Sequence, residues 1–197
     1  MRRFQWSALV GVLMFLIAAC SAPPPAPPAA PPFKPTATVK DIMDSVVDPA
    51  ADAIWESVAT IVSAAGTEER RPKTDEEWKA LQHSAVRLVE ASNLLMIEGR
   101  RAAQPGHKSE FPGIELEPEE VEKLINDDRQ SWVKLAAGLH DASLPALKAV
   151  LAKDPQGLLD AGEGIDQACE SCHLKYWYPL DKQAQKAAEG AGSVRKQ

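Results

Sequence analysis

The chain is poor in cysteine, with three in 197 residues, and this scarcity excludes two common uses of the residue. A zinc site built on Cys169 and Cys172 would need a second pair of Cys or His ligands at similar spacing, but the only other cysteine is Cys20. A thioredoxin-like site would need a βαβ context, and the flanking sequence has no strand pattern. Both kinds of site therefore lack their context here.

Positive charge is also scarce, because 28 Asp and Glu outnumber 22 Lys and Arg. Removal of residues 1–19 as an export signal would leave 20 Lys and Arg against 28 Asp and Glu, a net charge of −8. Such a chain is not expected to bind nucleic acid, or anionic lipid by charge alone. Its acidity is compatible with docking to a partner protein that has a basic surface.

Long hydrophobic runs are missing too, and the longest apolar segment lies within residues 1–19, behind two arginines. It is short for a membrane span of about 20 residues and is typical of a secretory signal. The sequence Ile17-Ala18-Ala19-Cys20 resembles the lipobox of bacterial lipoproteins, which implies cleavage before Cys20 and lipid attachment to it. An uncleaved anchor, or a soluble export signal with Cys20 incidental, is the alternative. We expect a periplasmic protein held to a bacterial membrane by its lipid.

Two segments outside the predicted folded domain are compositionally biased. Residues 20–37 are dominated by proline and alanine, which favours an extended polyproline spacer of about 3 Å per residue. Residues 180–197 are charged and rich in alanine and glycine, and a flexible tail is predicted. Residues 38–179 remain as the folded domain.

Four long amphipathic helices and no strands are predicted within that domain, because apolar residues recur at three- and four-residue steps. The predicted segments are 38–66 with a kink or a new start capped by Asp48 before Pro49, 74–99 from a capping box at Thr74, a helix from Pro118, a short piece at 143–153, and 154–179. The predicted core positions include Ile61 and Ala65 in the first helix and Trp78, Leu81, Ala85, Leu88, Ser92 and Leu95 in the second. We expect an all-α fold, an antiparallel four-helix bundle.

The stretch Cys169-Glu170-Ser171-Cys172-His173 has the form C-x-x-C-H, the attachment motif of c-type haem. On a helix, the two cysteines and the histidine occupy positions i, i+3 and i+4 and share one face. Each thiol would form a thioether with a haem vinyl group, and His173 would bind the iron from the proximal side. The motif predicts one covalent haem c within residues 38–179. With Cys20 assigned to lipid, no cysteine is left for a disulfide.

An all-helical chain with C-x-x-C-H in its last helix, and with Tyr176 three residues after His173, resembles the cytochrome c′ family over residues 38–179. The resemblance implies a four-helix bundle with the haem in its core, His173 as the proximal ligand, and a homodimer. In that family the aromatic residue is usually followed by Arg or Lys, whereas this chain has Trp177 there and Lys175 nearby. The proximal electrostatics are therefore expected to differ.

The ligand on the other side of the iron decides the function that the resemblance implies. Low-spin relatives place a methionine from the first helix there, and Met43 resembles that residue in location. His/Met ligation raises the reduction potential and favours electron transfer. Met43 also lies on the apolar stripe, where it could simply fill the core. Without this ligand the protein would resemble the five-coordinate members, which bind NO or CO.

Several other residues have two interpretations. Trp55, Trp78, Trp132 and Trp177 fall one on each long helix, and they would fill the core or line a haem pocket. Asp128 interrupts the third stripe, where it would face solvent or lie near the partner of a haem propionate. The glycines of the last helix would be merely tolerated, or would admit a neighbouring helix or the haem edge. The remaining histidines are expected to be structural or exposed: His83, His107 and His140.

The sequence thus predicts a tethered cytochrome that passes single electrons to and from a redox partner. The first alternative is a five-coordinate haem protein that binds NO or CO. The second is a haem-free helical lipoprotein that serves as an interaction module, in which the C-x-x-C-H motif is fortuitous. An enzyme is not expected, because the sequence shows no combination of nucleophile, base and acid.

Overall fold

Helix dominates the computed structural model, which describes residues 32–180 and adds one small two-stranded sheet to the helices. The predicted signal at 1–19, the lipid site at Cys20, most of the spacer and all but the first residue of the tail lie outside the described residues. Within the described part, no helix is long and apolar enough to cross a bilayer.

The first helical segment begins at a capping box that the sequence analysis did not identify. Thr38 Oγ accepts from the Asp41 backbone N–H, and the Asp41 carboxylate accepts from Thr38 N–H. Helix α1 (Val39–Ile42), a π-helical turn (Met43–Val47) and helix α2 (Asp48–Ser57) then follow without interruption. The predicted irregularity near Pro49 takes the form of this π turn, and the predicted cap by Asp48 is wrong because Asp48 is already helical.

A β-hairpin follows α2, so the predictions of a helix to Gly66 and of a chain without strands are both wrong. Strands β1 (Ala59–Ser63) and β2 (Gly66–Arg70) pair antiparallel, with Ser63 opposite Gly66 at the turn. The run Val58-Ala59-Thr60-Ile61-Val62 is rich in β-branched side chains, which favour strands, and Gly66 adopts a φ of 128° that suits glycine. Ile61 and Ala65 are therefore exposed instead of buried in a helix stripe.

Helix α3 (Asp75–Leu95) confirms the predicted start and the predicted core face. Thr74 and Glu77 form the capping box, and all six predicted stripe residues are buried. A long loop follows, from Met96 to Glu117, and its start pairs with the first helix. Val39 N–H donates to Arg101 C=O at 2.9 Å, and Lys40 N–H donates to Ala102 C=O at 2.9 Å. The loop is thereby fixed beside α1.

Helices α4 (Pro118–Asp127) and α5 (Arg129–Ala152) differ from the predicted third helix in two respects. The chain breaks at Asp128, whose φ of −133° and ψ of 63° are not helical and whose carboxylate accepts from Ser131 N–H at 3.1 Å. The separate piece predicted at 143–153 is wrong, because Pro145 lies inside α5. Proline in a helix removes one backbone hydrogen bond, and the rest of this 24-residue helix continues through it.

Helix α6 (Pro155–Tyr176) begins at Asp154, which caps it, and ends before Pro179 as predicted. Helix α5 packs against α3 and α6, and α2 packs against α3 and α6. At Gly162 the backbone of α6 approaches α2 so closely that Trp55 Nε1 donates to Gly162 C=O at 3.1 Å. This glycine therefore admits a neighbouring helix, which was one of the two interpretations of the α6 glycines.

Candidate functional site

The three residues of the C-x-x-C-H motif lie on one face near the end of α6. Cys169, Cys172 and His173 all border the same cavity, as positions i, i+3 and i+4 of a helix predict. Both cysteines are free thiols and are partly buried. Their spacing thus brings two sulfurs and one imidazole together, while their role as haem attachment residues stays a prediction.

Two adjacent cavities meet at this face. The larger is a half-open cleft with a cavity volume of about 150 Å³, and the smaller has a cavity volume of about 20 Å³. The side chains that border both cavities are Met43, Asp48, Trp132, Cys172 and His173. The two cavities thus share a wall that carries a thiol, an imidazole and a thioether.

Met43 reaches this wall from the π-helical turn at the other side of the site. Its side chain is partly buried and packs against the core, while it borders both cavities together with His173. The two interpretations of Met43, core filling and ligation, therefore share one location. Nothing in the geometry makes them exclusive, and iron ligation by Met43 stays a prediction.

Burial keeps the sulfur and imidazole groups of the motif uncharged near neutral pH. It raises the pKa of the Cys169 thiol to about 11, with help from the Asp48 carboxylate, and that of the Cys172 thiol to about 12. Burial also lowers the pKa of the His173 imidazole, against the opposing effect of Glu170. The site consequently presents two neutral thiols and a neutral imidazole with one free nitrogen lone pair.

Aromatic and acidic side chains surround the His173 ring. The Trp177 ring meets it edge-on, with 4.9 Å between centroids, and Trp177 N–H donates to His173 C=O at 2.8 Å. Tyr178 Oη lies 3.4 Å from His173 Nδ1 and donates to Glu170 Oε2 at 2.6 Å. Burial, and then the bond to Glu170, raise the pKa of Tyr178. The sequence alone did not predict a role for Glu170 or Tyr178 at this site.

Asp128 links the end of α6 to the start of α5. Besides capping α5, its carboxylate bonds Lys175 Nζ at 2.9 Å, and it is exposed as the first of its two interpretations expects. The bonds from Ser131 and Lys175 lower the pKa of Asp128 to about 2. Lys175 thus pairs with the carboxylate that caps α5, and its cation is held there.

Part of the wall of the larger cleft comes from the loop between Met96 and Glu117, which the sequence alone did not connect to the site. His107 and Lys108 line it together with Lys40 of α1, whose Nζ bonds Glu110 at 3.0 Å. Loops have no hydrophobic period, so the sequence carried no signal that would place His107 at a cleft. Trp132 and Trp177, two of the four tryptophans that the sequence assigned to the long helices, line the cleft, and the interpretation of tryptophan as a pocket wall applies to these two.

Among residues 32–180, no group of three or more His, Cys, Asp or Glu side chains is arranged to hold a metal ion. Comparison of the chain with protein-family models, curated proteins and solved structures finds no match.

Proposed function

We propose that this chain is an exported, membrane-tethered c-type cytochrome that carries single electrons through one covalently bound haem. The observation that carries the proposal is the convergence of Cys169, Cys172, His173 and Met43 on one pair of adjacent cavities. Three of these residues come from the end of α6 and the fourth, Met43, comes from the opposite end of the domain's sequence, so local spacing alone does not explain their meeting.

We also propose that α2, α3, α5 and α6 form an antiparallel four-helix bundle like that of the cytochrome c′ family. The helix contacts support it, because α2 packs against α3, α3 against α5, α5 against α6, and α6 against α2. This closed cycle of neighbours is the arrangement that four bundle helices adopt. The hairpin of β1 and β2 would extend the connection between the first two of them.

The residues around the cavities fit a haem in their chemistry. Cofactor sites are lined mostly by apolar side chains, and the walls of the larger cleft include Val39, Leu116, Val121 and Trp132. Haem would supply a one-electron ferric/ferrous iron couple and four of the iron ligands. Each reduced thiol could add across a vinyl group, with its sulfur bonding one vinyl carbon and its hydrogen going to the other, and the neutral His173 imidazole suits the proximal position.

The chain's own residues would set the behaviour of that couple. Met43 would offer a soft thioether sulfur, which favours ferrous iron, raises the reduction potential and leaves no open position for a gas. His107 lines the larger cleft and would be placed to hydrogen-bond a carboxylate of the porphyrin, whereas Lys40 is paired with Glu110 at 3.0 Å and Lys108 with Glu117 at 3.9 Å. We propose no enzymatic reaction for this site.

The remaining parts of the proposal concern location and partners. Cys20 would carry lipid, and residues 20–37 would hold the domain away from the periplasmic face of the membrane. With a net charge of −8 after removal of residues 1–19, the protein would dock a redox partner that presents a basic surface. A homodimer, as in the cytochrome c′ family, is part of this proposal.

Visible spectra of the protein, produced with a haem maturation system, test the proposal. We expect covalent haem, a sharp low-spin reduced spectrum that carbon monoxide leaves unchanged, and a thioether-to-iron band in the oxidised protein. Met43→Leu should become high-spin and bind carbon monoxide, whereas the control Met96→Leu should behave as wild type because Met96 borders neither cavity. A wild-type protein that binds carbon monoxide at once would favour the gas-binding alternative, and absence of covalent haem would favour the interaction module.

A further inference from the structure

We propose that Tyr178 and Glu170 form a hydrogen-bonded relay that positions His173 and strengthens its bond to iron. The inference rests on the proposed function, since it concerns how this chain would tune a haem bound at His173. It assigns roles to two residues outside the C, C and H positions of the motif. Both act through the imidazole and are positioning residues.

The hydrogen-bond directions follow from the chemistry of the three groups. An ionised carboxylate only accepts, so the 2.6 Å contact commits the single Tyr178 hydroxyl hydrogen to Glu170 Oε2. The phenol oxygen is then an acceptor towards His173 Nδ1 at 3.4 Å, a long distance for such a bond, and the relay assigns the imidazole hydrogen to Nδ1. That tautomer leaves the lone pair on Nε2, which is the nitrogen available to iron.

The local backbone explains why Tyr178 lies beside the ring. His173 C=O accepts from both Trp177 N–H at 2.8 Å and Tyr178 N–H at 3.0 Å, so the chain turns back over the last turn of α6. Glu170 precedes His173 by three residues and therefore lies on the same helix face. The turn and the helix together bring the phenol between the carboxylate and the imidazole.

The relay adds negative charge on the side of His173 away from the metal position. Partners of this kind fix the ring orientation and raise the basicity of a metal-bound histidine, and their loss typically changes metal affinity or activity about 10–100-fold. Lys175 does not offset the charge of Glu170, because its Nζ bonds Asp128 at 2.9 Å. A stronger histidine donor stabilises ferric iron more than ferrous iron, so the relay would lower the reduction potential.

Reduction potentials of the haem-loaded variants test the relay, and Tyr178→Phe is the decisive variant because it removes the bridging oxygen without changing charge. We expect Tyr178→Phe and Glu170→Gln each to favour the ferrous form about tenfold, a rise of about 59 mV for a one-electron couple. The control Glu163→Gln removes the same charge from α6 at a carboxylate that accepts from Gln167 Nε2 at 3.2 Å, and it should shift the potential far less.

Proton exchange at His173 Nδ1, followed by NMR in the ferrous protein, gives a second readout that a packing role would not move. The relay predicts at least about tenfold faster exchange in Tyr178→Phe and in Glu170→Gln, because the bonded acceptor is lost or weakened. If Tyr178→Phe does not take up haem, the reduction potential and the Nδ1 exchange rate of Glu170→Gln together test the relay. If Glu170→Gln shifts the reduction potential but does not speed up exchange at His173 Nδ1, the shift is an effect of charge alone, and the relay is overturned.

The outcomes separate this inference from the proposed function. Wild-type protein without covalent haem would overturn the proposed function and with it the tuning role. If wild type and Tyr178→Phe both bind haem and have the same reduction potential and the same exchange rate at His173 Nδ1, the relay is overturned and the proposed function stands.

Discussion

Replacing Gly162 by alanine tests the close approach of α6 to α2. A Cβ added there would lie 3.1 Å from Trp55 Cδ1 and 3.3 Å from Trp55 Nε1, closer than side chains normally pack. The indole must therefore move, and its bond to Gly162 C=O lengthens as it does. Gly164, two residues further along the same helix, has no atom within 4 Å of an added Cβ and provides the matched control.

The expected magnitude combines two opposing effects. Overpacking costs about 1–3 kcal/mol, and the lower half of that range applies because Trp55 is 36% exposed and its ring can shift towards solvent. Against this, alanine stabilises a helix interior over glycine by about 0.5–1 kcal/mol. Gly164→Ala should thus be stabilised by about 0.5–1 kcal/mol, and Gly162→Ala should be about 1–2 kcal/mol less stable than Gly164→Ala.

Thermal unfolding of the two variants, prepared in the same haem-loaded state, measures this difference directly. At about 2–4 °C per kcal/mol for a chain of this size, the melting temperatures should differ by about 2–8 °C. Comparing the variants with each other cancels the gain in helix propensity, which both receive. Equal melting temperatures would refute the contact between Gly162 and Trp55.

Two further predictions concern the helix caps. Thr74→Ala should lower the free energy of unfolding by about 1 kcal/mol, because it removes one half of the capping box with Glu77; denaturant unfolding measures it, and an unchanged midpoint would contradict the cap. Asp128 has a pKa of about 2 in the folded protein and 3.8 as its ordinary value, so its contribution to stability is complete above about pH 4 and is lost as the pH falls towards 2. Asp128→Asn should therefore lack this component of the acid-induced loss of stability, and Lys175→Met should weaken it; identical pH profiles for Asp128→Asn and wild type would rule the effect out.

Helix α3 was predictable because its signals are local. The capping box at Thr74 and Glu77 spans four residues, and the buried face repeats at helical steps over the next twenty. The structure keeps both features, because α2 and α5 pack against the apolar face of α3. The same is true of the motif face on α6, where Cys169, Cys172 and His173 are near neighbours in sequence.

The hairpin escaped prediction because its residues also satisfy a helical period. Ile61 lies three residues after Val58 and seven after Ile54, so it continues the α2 stripe on paper. The β-branched run from Val58 to Val62 favours extended backbone, and the structure follows that preference. In a short segment with both patterns, propensity and neighbouring elements decide, and a single sequence does not rank them.

The walls of the candidate site were the least predictable part. His107 and Leu116 reach the cleft from the loop between α3 and α4, and the path of that loop depends on pairing with Val39, Lys40 and Trp177. These contacts join residues far apart in sequence, so they cannot be predicted from the spacing of residues within one segment. The Tyr178 contact with His173 likewise depends on how the chain turns after α6 ends.

The π-helical turn explains how Met43 comes to border the cavities. In a regular helix residues four apart share a face, so Met43 would lie over Val47 and be buried with it. The turn closes hydrogen bonds five residues apart, from Asp48 N–H to Met43 C=O, which adds one residue and about 100° of rotation. Ile42 takes the buried position instead, since Ile42 and Val47 are both 2% exposed. Met43 is thereby turned from the centre of the core to its edge, where the two cavities and His173 lie.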